Sequence, residues 1–246
     1  MEPINAGGGT SLSRRSLLAG AVMASVASAC SSRGGTPTGA AASDRTLAAA
    51  VAVETALGVI RIEVLTGQAP KIAAWFLGLV DAKRFDGTKF YRSGHLQGQP
   101  PRPRFVEGGL LSPFLLGESD LKPATAEQAG LPLLYDWETT DQSGLRHVRG
   151  AVSLARDITG KGGAVPDLVI ALEPIAEMDF GGGFAPQNMG FPVFGQVTAG
   201  MEIVAAIAAS AREGRTYVPF LNGQILSNPV VIERIARAPA AAGART

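Results

Sequence analysis

The feature that most restricts the fold is a series of about eight short, strand-length apolar runs broken by glycine and proline, with only two helical patterns among them. Val51 to Glu54 and Val59 to Leu65 alternate apolar and polar residues around Gly58, which predicts a hairpin. Lys89 to Arg92, Arg104 to Val106, Gly150 to Ala155, Leu168 to Leu172, Phe191 to Val197 and Val230 to Ile235 follow, with Pro192 weakening its own run. Pro70 opens a helix over Lys71 to Lys83, with Ile72, Trp75, Phe76, Leu79 and Val80 on one face. A second helix is predicted over Met201 to Ala211, with Ile203, Val204 and Ile207 facing inward. Strands and helices do not alternate, so a parallel sheet is not expected. The expected fold is mainly β: a closed eight-stranded antiparallel barrel capped by two α-helices. The 31 glycines and 16 prolines supply the turns such a barrel needs. Leu110 to Gly130 has no useful period and reads as a surface excursion.

Both ends of the chain read as something other than fold. Ser13-Arg14-Arg15-Ser16-Leu17-Leu18 sets two arginines before an apolar run that reaches Ala29. That run has the length of a signal core and is too short to span a bilayer easily. It resembles a twin-arginine export signal, and the expected location is the periplasm or cell envelope. Ala27-Ser28-Ala29-Cys30 resembles a lipoprotein signal with Cys30 as the lipidated residue, although Ala27 stands where leucine is usual. The alternative is a simple Ala-x-Ala cleavage site. A lipid on Cys30 would make the membrane a partner through the N-terminus. The expected organisation is an export signal over 1–30, a flexible linker over 31–48, the folded domain over 49–237 and a disordered tail over 238–246.

Composition narrows the chemistry. A net charge of +1 gives no strong field toward nucleic acid, and no nucleic-acid partner is expected. One cysteine and two histidines make an internal disulfide impossible and a Cys/His zinc cluster poorly supported, so no metal is expected. No G-x-S-x-G, P-loop or H-E-x-x-H motif occurs, and Gly181-Gly182-Gly183 is not followed by a helix. His95 and His147 each lie in a polar, loop-like stretch and read as surface histidines.

A family resemblance adds to this. Phe85-Asp86-Gly87-Thr88-Lys89-Phe90-Tyr91-Arg92 resembles the cyclophilin motif Y-D-G-T-x-F-H-R. Val106-Glu107-Gly108-Gly109 resembles I-Q-G-G, and Gly150 to Arg156 resembles G-x-(I/L)-(A/S)-M-A-(R/N). Val193-Phe194-Gly195-Gln196-Val197 with Gly200-Met201-Glu202, and then Pro229-Val230-Val231-Ile232, continue the likeness in the same order. The resemblance implies a monomeric peptidyl-prolyl cis-trans isomerase that acts on proline-containing polypeptides with no cofactor and no covalent intermediate. Arg92 falls on the catalytic arginine of that family; the alternative is a surface arginine. Phe105 falls on an apolar pocket residue and could equally be core, while Phe191 falls on the pocket rim.

Departures from the family pattern bear on the same pocket. Glu107 stands where a substrate-binding glutamine is usual, and a carboxylate there could pair with Arg92. Arg104 replaces a pocket phenylalanine. Asp167 and Val169 replace the glutamine and an aromatic of S-Q-F-F-I, and Gln187 aligns loosely with a Trp-Leu pair. The expected substrate-binding residues are therefore Phe105, Glu107, Asp167, Val169 and Phe191, in a shallower, more charged pocket. Two outcomes stay open: an active isomerase on exported polypeptides, or a catalytically weak or inactive peptide-binding chaperone module at the cell envelope.

Overall fold

The computed structural model describes residues 49–239. The expected export signal with Cys30, the linker and residues 240–246 of the tail lie outside the described residues. Eight strands close into one barrel: β1 (Ala49–Thr55), β2 (Gly58–Val64), β3 (Lys89–Gly94), β4 (Phe105–Gly109), β5 (Ala151–Arg156), β6 (Ala164–Ala171), β7 (Val193–Ala199) and β8 (Ile225–Ala238). Their order round the barrel is β1-β2-β7-β5-β6-β4-β3-β8, and every neighbouring pair is antiparallel. This is the expected mainly-β closed barrel.

Two strands run longer than their apolar patterns suggested. β8 starts at Ile225 and carries Pro229, and β6 starts at Ala164 and carries Pro166. Both prolines fall in breaks of the pairing register, between Ile225 and Val230 against β3 and between Ala164 and Leu168 against β5. A bulge has no ladder hydrogen bond for the missing proline N–H to supply, so the strand continues past it.

Helix α1 (Pro70–Asp81) buries Ile72, Ala73, Phe76, Leu77, Leu79 and Val80, while Trp75 is only partly covered. Ala69 offers no side-chain cap, and Glu138 takes that role by accepting the Lys71 N–H at 3.0 Å. Phe76 packs on Phe194 of β7 with ring centroids 4.6 Å apart. The later helix, Met201–Ala208, turns Val204, Ile207 and Ala208 toward the barrel. Two one-turn helices, α2 (Ser112–Leu115) and α3 (Thr140–Ser143), precede it, which makes it α4.

Strand alternation divides the apolar residues between two cores. Val106, Val152, Leu154, Leu168 and Ile170 fill the barrel interior. Their neighbours Phe105, Ala151, Ala155, Val165, Val169 and Ala171 face outward on β4, β5 and β6, yet they too are buried. Loop segments cover that outer face. Ala126 comes from the excursion after β4, and Ile175, Met178, Ala185 and Phe191 come from the connection before β7. The expected surface excursion thus supplies part of a second core, and the gap left beside it is the site.

Candidate active site

The site rests on one irregularity in β3. Phe90 opposes Gly108 and Arg92 opposes Glu107, so two residues of β3, Tyr91 and Arg92, span one step of β4. Such a bulge re-aims side chains. Strict alternation from the buried Phe90 would turn Arg92 into the barrel; with the bulge, Tyr91 and Arg92 both reach the outer cleft. Gly108 permits this closeness, because a Cβ there would lie 2.5 Å from the Phe90 Cα.

Arg92 is held on three sides. Its Nη1 donates to Glu107 Oε2 at 2.7 Å, directly across the strand pair. Its Nε and Nη2 both donate to Gln224 Oε1, at 3.1 and 2.8 Å. Its guanidinium carbon lies 4.9 Å from the centre of the Phe105 ring, within cation–π range. Gly94 leaves space for that ring, since a Cβ would come within 2.4 Å of it. The side chains of Arg92 and Glu107 are only 13% and 8% exposed. Among the described residues three of the five guanidinium N–H donors are thus engaged, which leaves two for a bound molecule.

The adjoining cleft holds about 220 Å³. Phe105, Val169, Met178, Phe184 and Phe191 give it an apolar wall, with Phe184 and Phe191 stacked at 5.8 Å. Of the residues expected from sequence, Arg92, Phe105, Glu107, Val169 and Phe191 come together here.

Asp167 is a correction. It shares the outer face with Val169, but the chain leaving β4 covers it and it has no exposed surface. Its Oδ1 accepts the Leu111 N–H at 2.9 Å and its Oδ2 lies 2.7 Å from the Tyr91 hydroxyl. It sits behind the cleft rather than in its wall. Burial, reinforced by the charge of Glu107, pushes its carboxyl up to about 8. Burial likewise holds the Tyr91 phenol well above its usual value.

Other expectations also change. Arg104 does not line the cleft; it donates to Glu173 at 2.6 Å, to Glu177 at 2.9 Å and to the Pro174 carbonyl at 2.9 Å, tying down the loop that brings Met178 in. Gln187 is exposed and away from the cleft wall. Neither histidine is a free surface group. His147 is 2% exposed, and its Nδ1 lies 2.7 Å from Asp179 Oδ1, beside Met178. His95 lines the cleft, and partial burial, then the charges of Arg212 and Arg92, lower its pKa. Sequence reasoning missed Gln224, Tyr91 and Phe184. Gln224 lies in a stretch without pattern, whereas Tyr91 occupies the histidine position of F-H-R, a departure visible in the motif itself.

A closed antiparallel barrel with a guanidinium fixed at the mouth of an external apolar cleft defines the class. The chain matches the family model described as cyclophilin type peptidyl-prolyl cis-trans isomerase over residues 50–236, and it belongs to that family. It is 27% identical over 186 residues to a peptidyl-prolyl cis-trans isomerase of Streptomyces antibioticus, covering 74% of this chain and 95% of that one. It is 29% identical over 184 residues to peptidyl-prolyl cis-trans isomerase A of Dickeya dadantii, covering 74% of this chain and 81% of that one. A cyclophilin-type isomerase crystal structure from Cryptosporidium parvum shares the fold, with a TM-score of 0.51 at 13% identity over 78% of this chain and 99% of that one. A second structure of that protein, obtained in the presence of the dipeptide Ala-Pro, has a TM-score of 0.50 at the same identity and coverage.

Removing one partner of the pair strands the other charge. Arg92→Met is expected to lower folding stability by about 3–5 kcal/mol because Glu107 stays buried. Adding Glu107→Gln should restore most of that loss, as measured by urea denaturation of the single and double variants.

Proposed function

We propose that this chain speeds cis–trans isomerisation of X-Pro bonds in exported polypeptides, with Arg92 stabilising the twisted imide and no covalent intermediate. The observation that carries this reading is the guanidinium fixed beside an apolar cleft with donors left over. The barrier to be lowered, about 18–20 kcal/mol, is the partial double bond of the amide. As that bond twists, the prolyl nitrogen loses its resonance and gains a lone pair that can accept a hydrogen bond. An N–H of Arg92 aimed at this nitrogen acts on the twisted state alone, so it lowers the barrier rather than tightening ground-state binding. Arginine stays protonated throughout the physiological range, so no proton transfer is needed. Phe105, Val169, Met178 and Phe191 would seat the pyrrolidine ring and keep water from the nitrogen. Glu107 serves as the anchor of Arg92, and its oxygens are engaged on the protein side by Arg92 and Tyr91.

We further propose that the chain works at the cell envelope, with residues 1–30 as export signal, Cys30 as the lipid attachment point and 31–48 as tether. The twin arginines before the apolar run and the position of the sole cysteine support this reading.

Arg92→Ala is expected to cut kcat/KM for an X-Pro peptide at least about 100-fold in a protease-coupled assay, as loss of a transition-state donor should. A wild-type protein that binds the peptide without accelerating its isomerisation would leave only the binding module. A palmitate analogue fed to expressing cells is expected to label the wild type and not Cys30→Ser; equal labelling of both sinks the anchor.

A further inference from the structure

Beneath Arg92 lies a chain of buried groups that a proton count resolves. Asp167 Oδ2 is 2.7 Å from the Tyr91 hydroxyl oxygen. That oxygen is 3.0 Å from Glu107 Oε1, and Glu107 Oε2 is 2.7 Å from Arg92 Nη1. Tyr91 has one hydroxyl hydrogen and touches two carboxyl groups, so it can donate to only one of them. The other must bring its own proton or set lone pairs against lone pairs at a phenol with no exposed surface. The two carboxyl groups are not equivalent. Glu107 has a cationic partner, the Arg92 guanidinium, in direct contact with its Oε2. Asp167 is fully buried, and it faces the Tyr91 hydroxyl from β3, the Glu107 carboxylate from β4 and the Leu111 N–H from the turn after β4. No cation is in contact with it among these groups. The proton therefore belongs on Asp167.

We propose, on the basis of the isomerase reading above, that Asp167 and Tyr91 are positioning residues: the buried acid donates to Tyr91, which donates to Glu107 and fixes it as the ionised seat of Arg92. The chain then runs one way, from acid to phenol to carboxylate, and the guanidinium faces one negative charge. The upward displacement of Asp167 to about 8 agrees with this arrangement. Ionising Asp167 adds a second negative charge behind Arg92 and leaves the Tyr91 hydrogen contested between two carboxylates. Glu107 then loses its fixed donor and Arg92 its fixed seat. Tyr91, Glu107 and Asp167 come from three separate motifs, yet they act as one unit.

The test is a pH series by NMR exchange on an X-Pro peptide, which needs no coupling protease. For the wild type, kcat/KM is expected to fall several-fold between about pH 7 and about pH 9.5, chiefly in kcat. Asp167→Asn cannot ionise, and its amide can donate to Tyr91 as the acid does, so the alkaline fall should vanish. Tyr91→Phe cuts the chain and should lower kcat more than it changes KM. A second readout needs no turnover: the Arg92 Nε–Hε resonance should shift with a midpoint near that of Asp167 in the wild type and stay still in Asp167→Asn. An alkaline fall unchanged in Asp167→Asn, or an Arg92 resonance that ignores Asp167, overturns the proposal. If the resonance follows Asp167 while the protein accelerates no isomerisation, the network stands and the isomerase reading falls.

Discussion

The cross-strand pair between Arg92 and Glu107 is the interaction on which the site depends. It exists because Tyr91 and Arg92 together span one step of β4, which puts a cation on the outer face where alternation would have buried it in apolar surroundings. A guanidinium there needs an acceptor on the protein side, or it would fold back onto any carbonyl within reach. Gln224 takes the Nε–Nη2 edge, Glu107 takes Nη1 and the Phe105 ring takes a face, so the remaining donors are held in a fixed direction rather than sampled.

The cleft is the complement of a packing problem. Outward residues of β4, β5 and β6 are apolar, and they must be covered. The excursion after β4 and the connection before β7 cover them from two sides, and Arg104, His147 and Asp179 pin the second of these segments by ion pairs and hydrogen bonds. Met178, Phe184 and Phe191 arrive on it and meet Phe105 and Val169 from the barrel. Rigid strands carry the charged group and pinned loops carry most of the apolar wall, so sequence change in the loops can reshape the cleft without moving Arg92.

The barrel was legible from its periodicity, because alternation and turn residues are local signals. The limits of β6 and β8 were not, because Pro166 and Pro229 sit in bulges, where the usual penalty for proline in a strand is absent. Arg92, Phe105, Val169 and Phe191 could be singled out from ordered motifs. Asp167 was singled out too, but its burial depends on the path of the chain after Gly109, which no local pattern encodes. His147 looked exposed for the same reason: its polar neighbours are solvated while its ring is enclosed by a distant segment ending at Asp179. Gln224 joins the site only through the long-range pairing of β8 with β3, so nothing near it in sequence announces it.

Isomerisation in this cleft requires Arg92 to meet a prolyl nitrogen, and a crystal structure of this protein with a bound Ala-Pro dipeptide tests that most directly. The proline ring should lie against Phe105, Val169 and Phe191, with a guanidinium nitrogen of Arg92 within hydrogen-bond distance of the prolyl nitrogen and the contact to Glu107 intact. A dipeptide seated elsewhere, or one in the cleft with Arg92 turned away from its nitrogen, would contradict it.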